Sequence, residues 1–178
     1  MIVSWWLIVS LAGAVVLPLA WRMLSSLPDR GYLLARPLGL LTIGFVYWLL
    51  NSLGFLRNEV GGIILSALIV LGIGLLAVFR VPDYSGRNTR DTLRDWWNRN
   101  NVAVIAGEIA FAVLFFTWAI VRAHQNNLVT TEKPMDLAFL ASIMRSPVFP
   151  PNDPWLSGYA ISYYNFGYII AAMITMTS

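Results

Sequence analysis

Apolar residues run through this chain in long blocks, with polar and charged residues gathered in the gaps between them. The blocks cover Ile2 to Leu19, Pro37 to Leu56, Val60 to Phe79, Val102 to Val121, and Ile161 to the end. Most approach the roughly 20 residues a helix needs to cross a hydrocarbon core. In lipid a segment must satisfy its own backbone hydrogen bonds, so each block reads as a helix. The pattern predicts an all-α polytopic protein with about five transmembrane helices plus short interfacial helices.

Composition agrees. The 178 residues are 58% hydrophobic and 12% charged, where a soluble domain carries about 25% charge. Mean hydropathy is +0.67. With no cysteine and the single histidine His124, disulfides, thiolate chemistry and multi-histidine metal sites within this chain are excluded. The net charge of +3 is spread between loops, which argues against a nucleic-acid partner and leaves the bilayer as the first one. The N-terminus lacks the basic lead of a cleavable signal peptide. It reads as a retained helix with Trp5, Trp6 and Trp21 near the two interfaces. In the third block Gly61, Gly62, Gly72 and Gly74 favour close helix packing, and Gly31 to Arg36 reads as an interfacial lead-in to the second.

Counting basic residues by loop gives an orientation. The segment Trp21 to Arg36 has three and Arg80 to Asn101 has five, against one (Arg57) after the second block and three between Arg122 and Gly158. The expected arrangement is a multi-pass protein of the plasma membrane with the N-terminus and loop 122–158 outside. In the inner loop, Thr89 to Asn98 alternates Arg with Asp and ends in Trp96 and Trp97. It reads as a separate interfacial helix, held by tryptophan and anionic lipid or serving as a docking surface.

Three places hold groups that simple spanning does not require. Glu108 lies inside the fourth block, where a charge costs about 2.5–3.5 kcal/mol on insertion scales and so should face protein or water. Its role is a relay or binding carboxylate, or equally a packing or snorkelling group. In "TTEKPMDLAFLASIMRS", Pro134 suits a helix start, and Met135 to Arg145 reads as a surface helix with Asp136, Ser142 and Arg145 on one narrow face. Glu132 and Asp136 are either helix-start carboxylates favoured by the dipole or a general base or metal ligand. "SPVFPPNDPWLSG" is a proline-rich connector carrying Asp153 and Trp155. Beyond it, a helical reading puts Tyr159, Tyr163 and Phe166 on one face and Tyr164 and Tyr168 on another, as an aromatic belt or as the rim of a site.

The segment "TEKPMDLAFLASIMRSPVFPPNDPWLSGYAISYYNFGYII" resembles the signature of the YYY-domain membrane proteins, which are similar to the C-type (polytopic) glycosyltransferases. The likeness covers roughly Thr130 to Ile170: an EKP-Asp element, a Pro-Pro-x-Asp-Pro-Trp connector and a Gly-x-x-x-x-Tyr-Tyr-x-x-Gly motif, with Asn165 at the third tyrosine position. The resemblance implies transfer of a sugar from polyprenyl phosphate, with Asp136 as base or as ligand to a divalent metal and Glu132 as second candidate. It also implies a substrate site lined by Arg145 (on lipid phosphate), Asp153, Trp155, Tyr159, Tyr163 and Tyr164. Proteins of that kind are several times longer, so the chain corresponds to an N-terminal portion holding part of a donor pocket. It divides into an N-terminal transmembrane region, 1–101, and the start of the glycosyltransferase-like domain, 102–178. The alternative from another class is a non-catalytic accessory subunit packed against a larger respiratory or photosynthetic membrane complex. A small transporter element is a third, suggested by Glu108 alone.

Overall fold

The computed structural model describes residues 2–80, 89–124 and 132–178. Arg87 of the basic loop and Thr130 and Thr131 at the head of the motif lie outside the described residues. Six helices follow in order: α1 (Ile2–Met23), α2 (Ala35–Ser52), α3 (Val60–Arg80), α4 (Thr89–His124), α5 (Lys133–Arg145) and α6 (Phe166–Thr177). The protein is an all-α membrane protein. Among the described residues three stretches are long and apolar enough to cross a bilayer, Ile2–Met23, Val60–Phe79 and Thr92–His124. The second and fifth expected spans are shorter helices, α2 and α6, packed against α1 and α3.

Small residues set the core. A methyl placed on Gly39 of α2 would stand 2.1 Å from the carbonyl oxygen of Ala12, so the backbones of α1 and α2 are in direct contact. Gly13 faces Arg36 and Gly74 of α3 faces Pro18 and Leu19, where a methyl would stand 3.0 and 2.9 Å from the nearest atom. Val16, Ile43, Tyr47, Ile63, Val70 and Ile169 fill the seams around these contacts. Without a hydrophobic drive between helices in lipid, such close approach supplies the attraction through packing.

Two expectations about boundaries change. The interfacial helix at Thr89 to Asn98 is not separate but the first turns of α4, which runs unbroken for 36 residues. No proline or glycine interrupts the sequence there before Gly107, and Asn100 and Arg99 bond back to the carbonyls of Trp96 and Asp95 four residues earlier. The expected domain boundary at residue 101 therefore falls inside a helix. At the other end, residues 161–165 are not helical, and α6 starts at Phe166. The Ile161 amide donates to Pro151 in the connector at 2.9 Å, so that backbone is already committed elsewhere. Tyr159, Tyr163 and Tyr164 thus precede the helix instead of lying on its faces.

α4 runs antiparallel to α1 along a narrow seam, with Trp6 beside Phe116 (6.3 Å between ring centroids) and Trp21 beside Trp96 (5.1 Å). Linker 24–34 leaves the end of α1 in successive turns and passes between α1 and α4, where Gly107 leaves room for Leu33. α2 begins only at the level of Gly13, halfway along α1. At the opposite end the α2–α3 turn is tied to α5. The buried Asn58 accepts from the Tyr47 hydroxyl at 2.5 Å and donates to the carbonyls of Ile143 and Ser146 at 2.5 and 2.7 Å.

Candidate functional site

The expected site residues fall into three groups. The first forms where α5 crosses α6. Asp136 is on the first turn of α5, which begins with Pro134 as its helix-starting residue. The Tyr168 hydroxyl donates to Asp136 Oδ1 at 2.5 Å. One turn on, the buried ring of Phe139 is the hub of an aromatic cluster. Tyr163 stacks on it at 5.6 Å and 25°, Trp155 meets it edge-on at 5.2 Å, and Tyr168 leans on it at 5.6 Å. Tyr164 packs on Tyr163 at 5.1 Å and is otherwise open, 85% exposed. The carboxylate and five aromatic rings therefore share one end of the molecule, with the outer rings presented to the surroundings.

Phe139 was not singled out from the sequence, although its spacing of three from Asp136 puts the two side chains on one helix face. Glu132 is exposed ahead of α5 and contributes its carbonyl to the Asp136 amide at 2.9 Å. Its carboxylate also acts electrostatically on the Tyr168 hydroxyl. Asp153 likewise closes its own turn, its Oδ1 accepting from the amides of Trp155 and Leu156 at 2.8 and 2.9 Å. Tyr159 is exposed, with its carbonyl bonded to the Asp153 amide.

The second group is Arg145 and its surroundings. The expectation that Asp136, Ser142 and Arg145 share a narrow face is corrected. At 100° per residue, nine residues turn Arg145 to the opposite side of α5 from Asp136. Asp136 packs with Phe139 against α6, whereas Arg145, Ser142 and Ala138 line a cavity of about 310 Å³ with Asn152 and Pro154. The Ser142 hydroxyl donates to the Asn152 carbonyl at 2.5 Å and fixes the connector there. The rise of about 1.5 Å per residue adds an axial gap of roughly 13 Å, so Arg145 and Asp136 do not act on the same atoms.

Glu108 makes the third. It faces protein: Arg36 Nη2 donates to Oε2 at 2.5 Å and the Tyr32 hydroxyl to Oε1 at 3.0 Å. The Arg36 guanidinium also lies 4.1 Å from the Phe111 ring centroid. Arg36 is a residue of α2 and not of the loop before it, which leaves the contrast between the two sets of loops at seven basic residues against four. Beside the pair is a cavity of about 190 Å³ that Ser10 and Gly13 also line. As to the divalent metal, no group of three or more His, Asp or Glu side chains is placed to hold one among the described residues. Asp136 and Glu132 are the two acids that act on the Tyr168 hydroxyl, and Asp136 Oδ1 already accepts from it.

Together these features define a helical integral membrane protein with a carboxylate–aromatic cluster at one end and a charged pair inside the bundle. Residues 42–178 match the family described as Uncharacterized membrane protein (DUF2298), and the chain belongs to that family. No curated protein and no solved structure matches the chain.

Proposed function

We propose that the α5–α6 end is part of a glycosyltransferase-like site that takes a sugar carried on polyprenyl phosphate, as the resemblance to the YYY-domain and C-type proteins implies. The observation that carries this reading is the Asp136 carboxylate, held by Tyr168 beside the Phe139–Tyr163–Trp155 rings. The acceptor oxygen attacks the anomeric carbon as the bond from that carbon to the phosphate oxygen breaks. Asp136 takes the acceptor proton, and polyprenyl phosphate leaves with the electron pair. Tyr168 occupies Oδ1, which leaves Oδ2 for the acceptor proton, and the rings offer flat apolar faces to the sugar. On this reading Arg145, on the far side of α5, does not hold the reacting phosphate. The excess of basic residues in the other set of loops supports an external position for this end, with the plasma membrane as the proposed setting.

The test uses the full chain in lipid nanodiscs with a polyprenyl-phosphate hexose, following release of free sugar to water. Loss of a positioned general base lowers turnover by about 100-fold or more, so Asp136→Asn should fall by that much while still binding donor. Turnover unchanged in the variant, or a wild-type chain that neither binds nor cleaves donor, would sink the reading.

One observation favours the accessory-subunit alternative. In the spanning stretch of α4 only 6% of residues are buried within the chain. Native mass spectrometry of the complex drawn from its own membrane decides this point, because an accessory subunit must carry a stoichiometric protein companion.

A further inference from the structure

At the end of the bundle away from Asp136, linker 24–34 and the first turns of α4 enclose a cavity of about 430 Å³. Ser25, Ser26 and Arg30 line it from the linker, and Thr92, Arg99 and Asn100 from α4. This wall carries two guanidinium groups, three hydroxyls and an amide; Arg30 and Thr92 also serve other partners, and Arg99 Nε and Asn100 Nδ2 donate to the carbonyls of Asp95 and Trp96, which leaves the terminal guanidinium N–H groups of Arg99 for an anion. Among the described residues no acid lines it. Asp29 of the same linker has its carboxylate bonded to the amides of Gly31 and Leu33 at 3.2 and 2.9 Å. Trp96 forms part of the same wall, and its indole N–H is buried with no hydrogen-bond partner.

The position favours a lipid over a free ion. The cavity lies where α1 ends and just before the apolar part of α4 begins at Val102. Trp21 packs on Trp96, the Arg30 guanidinium lies 4.9 Å from the Trp21 ring centroid, and Trp97 is exposed beside them. Tryptophans of this kind settle at the headgroup level. Leu27 and Pro28 complete the lining with an apolar edge, suited to a glycerol backbone and the start of an acyl chain. Arginine matches a phosphate with paired, charge-assisted hydrogen bonds.

We propose that this cavity is a binding site for the phosphate headgroup of an anionic membrane lipid, seated between linker 24–34 and α4. Nothing in the carboxylate–aromatic cluster is needed for it, so it stands whether or not that cluster transfers sugar.

The test reconstitutes the full chain in phosphatidylcholine nanodiscs with and without phosphatidylglycerol, reading thermal unfolding and, after release, lipid adducts by native mass spectrometry. Phosphatidylglycerol should raise the unfolding temperature and remain bound. Each of Arg30→Gln and Arg99→Gln should weaken that binding about fivefold, the pull of one basic side chain toward an anionic leaflet. Arg99→Lys, which keeps the charge but not the fork, should fall between Arg99→Gln and wild type. If Arg30→Gln fails to fold because Trp21 loses its contact, Arg99→Gln and Arg99→Lys carry the test alone. Inorganic phosphate added to pure phosphatidylcholine discs should give no protection. Protection by phosphate alone would overturn the lipid assignment, and phosphatidylglycerol binding that is unchanged in the Arg99 variants would overturn the site.

Discussion

Helix α1, at the centre of the α1–α3 core, and α4 are built from equally apolar sequence and are held in different ways. The spanning windows of α1 and α4 have the same mean hydropathy, 2.2. Yet α1 is sunk against α2 and α3, with Ala12, Val16 and Ala20 buried, while α4 shows Val102, Ile105, Ile109, Val113 and Leu114 to the outside. Hydropathy does not distinguish them, because lipid tails and leucine side chains are equivalent surroundings for an apolar helix. Small residues do. Gly39, Gly13 and Gly74 let backbones touch within the core. Along α4, Gly107 admits only the Leu33 side chain, and the attachment is completed by aromatic contacts and the Glu108–Arg36–Tyr32 cluster. The core is held by close backbone fit, and α4 by aromatic contacts and one polar cluster.

The largest expected effect comes from filling the tightest contact. In Gly39→Val the new side chain meets the carbonyl of Ala12, a backbone atom that cannot rotate away. Overpacking of this kind costs up to about 3 kcal/mol, and more where backbone must move. Unfolding in detergent, followed by circular dichroism, should show a midpoint far below wild type or no folded species. A midpoint within a degree or two of wild type would mean that the α1–α2 contact does not organise the core, and the contrast with α4 would collapse.

The two regions also differed in how well the sequence announced them. The α1 and α3 spans were legible because length and apolarity suffice for a helix in lipid. Pro134 and Asp136 likewise marked the start of α5. The merger of Thr89–Asn98 into α4 was less visible, since an amphipathic stretch followed by an apolar one fits either a bend or a straight helix. Glu108 showed that it needed a protein partner, but Arg36 lies 72 positions away in what read as a loop. At the candidate site, Asp136 and the tyrosines were legible by type and by resemblance. Their arrangement was not, because the Asp136–Tyr168 bond and the stacking on Phe139 depend on how α5 crosses α6. The Asn58 hub had no local signal at all: nothing in "RNEVGG" says that the asparagine will be buried against Ile143 and Ser146.

A medium effect tests the polar side of the comparison. Glu108→Gln keeps the shape but removes the charge that Arg36 neutralises. Polar contacts between membrane helices are worth roughly 0.6 to 1.7 kcal/mol, so α4 should loosen without the core unfolding. The chain has no cysteine, so cysteines introduced at Trp6 and Phe116 can be joined selectively by a short thiol cross-linker. Cross-linking should slow several-fold in Glu108→Gln, with the unfolding midpoint lowered only slightly. If the midpoint drops as far as in Gly39→Val, the charged pair belongs to the core and the division between the regions is wrong.

The smallest effect sharpens the steric argument by its sign. Gly72 shares α3 with Gly74, but a methyl on Gly72 would meet nothing within 4 Å, whereas one on Gly74 would lie 2.9 Å from the Leu19 amide nitrogen. If glycine stabilised the core simply by being glycine, Gly72→Ala and Gly74→Ala would behave alike. If close approach is the reason, they should diverge. Gly72→Ala should be neutral or raise stability by up to about 0.5–1 kcal/mol through lower chain entropy. Gly74→Ala should lower it, since the atom opposite is backbone and cannot turn aside. The paired measurement, two methyl groups two residues apart on one helix, separates contact from composition because hydropathy and helix propensity change identically in both.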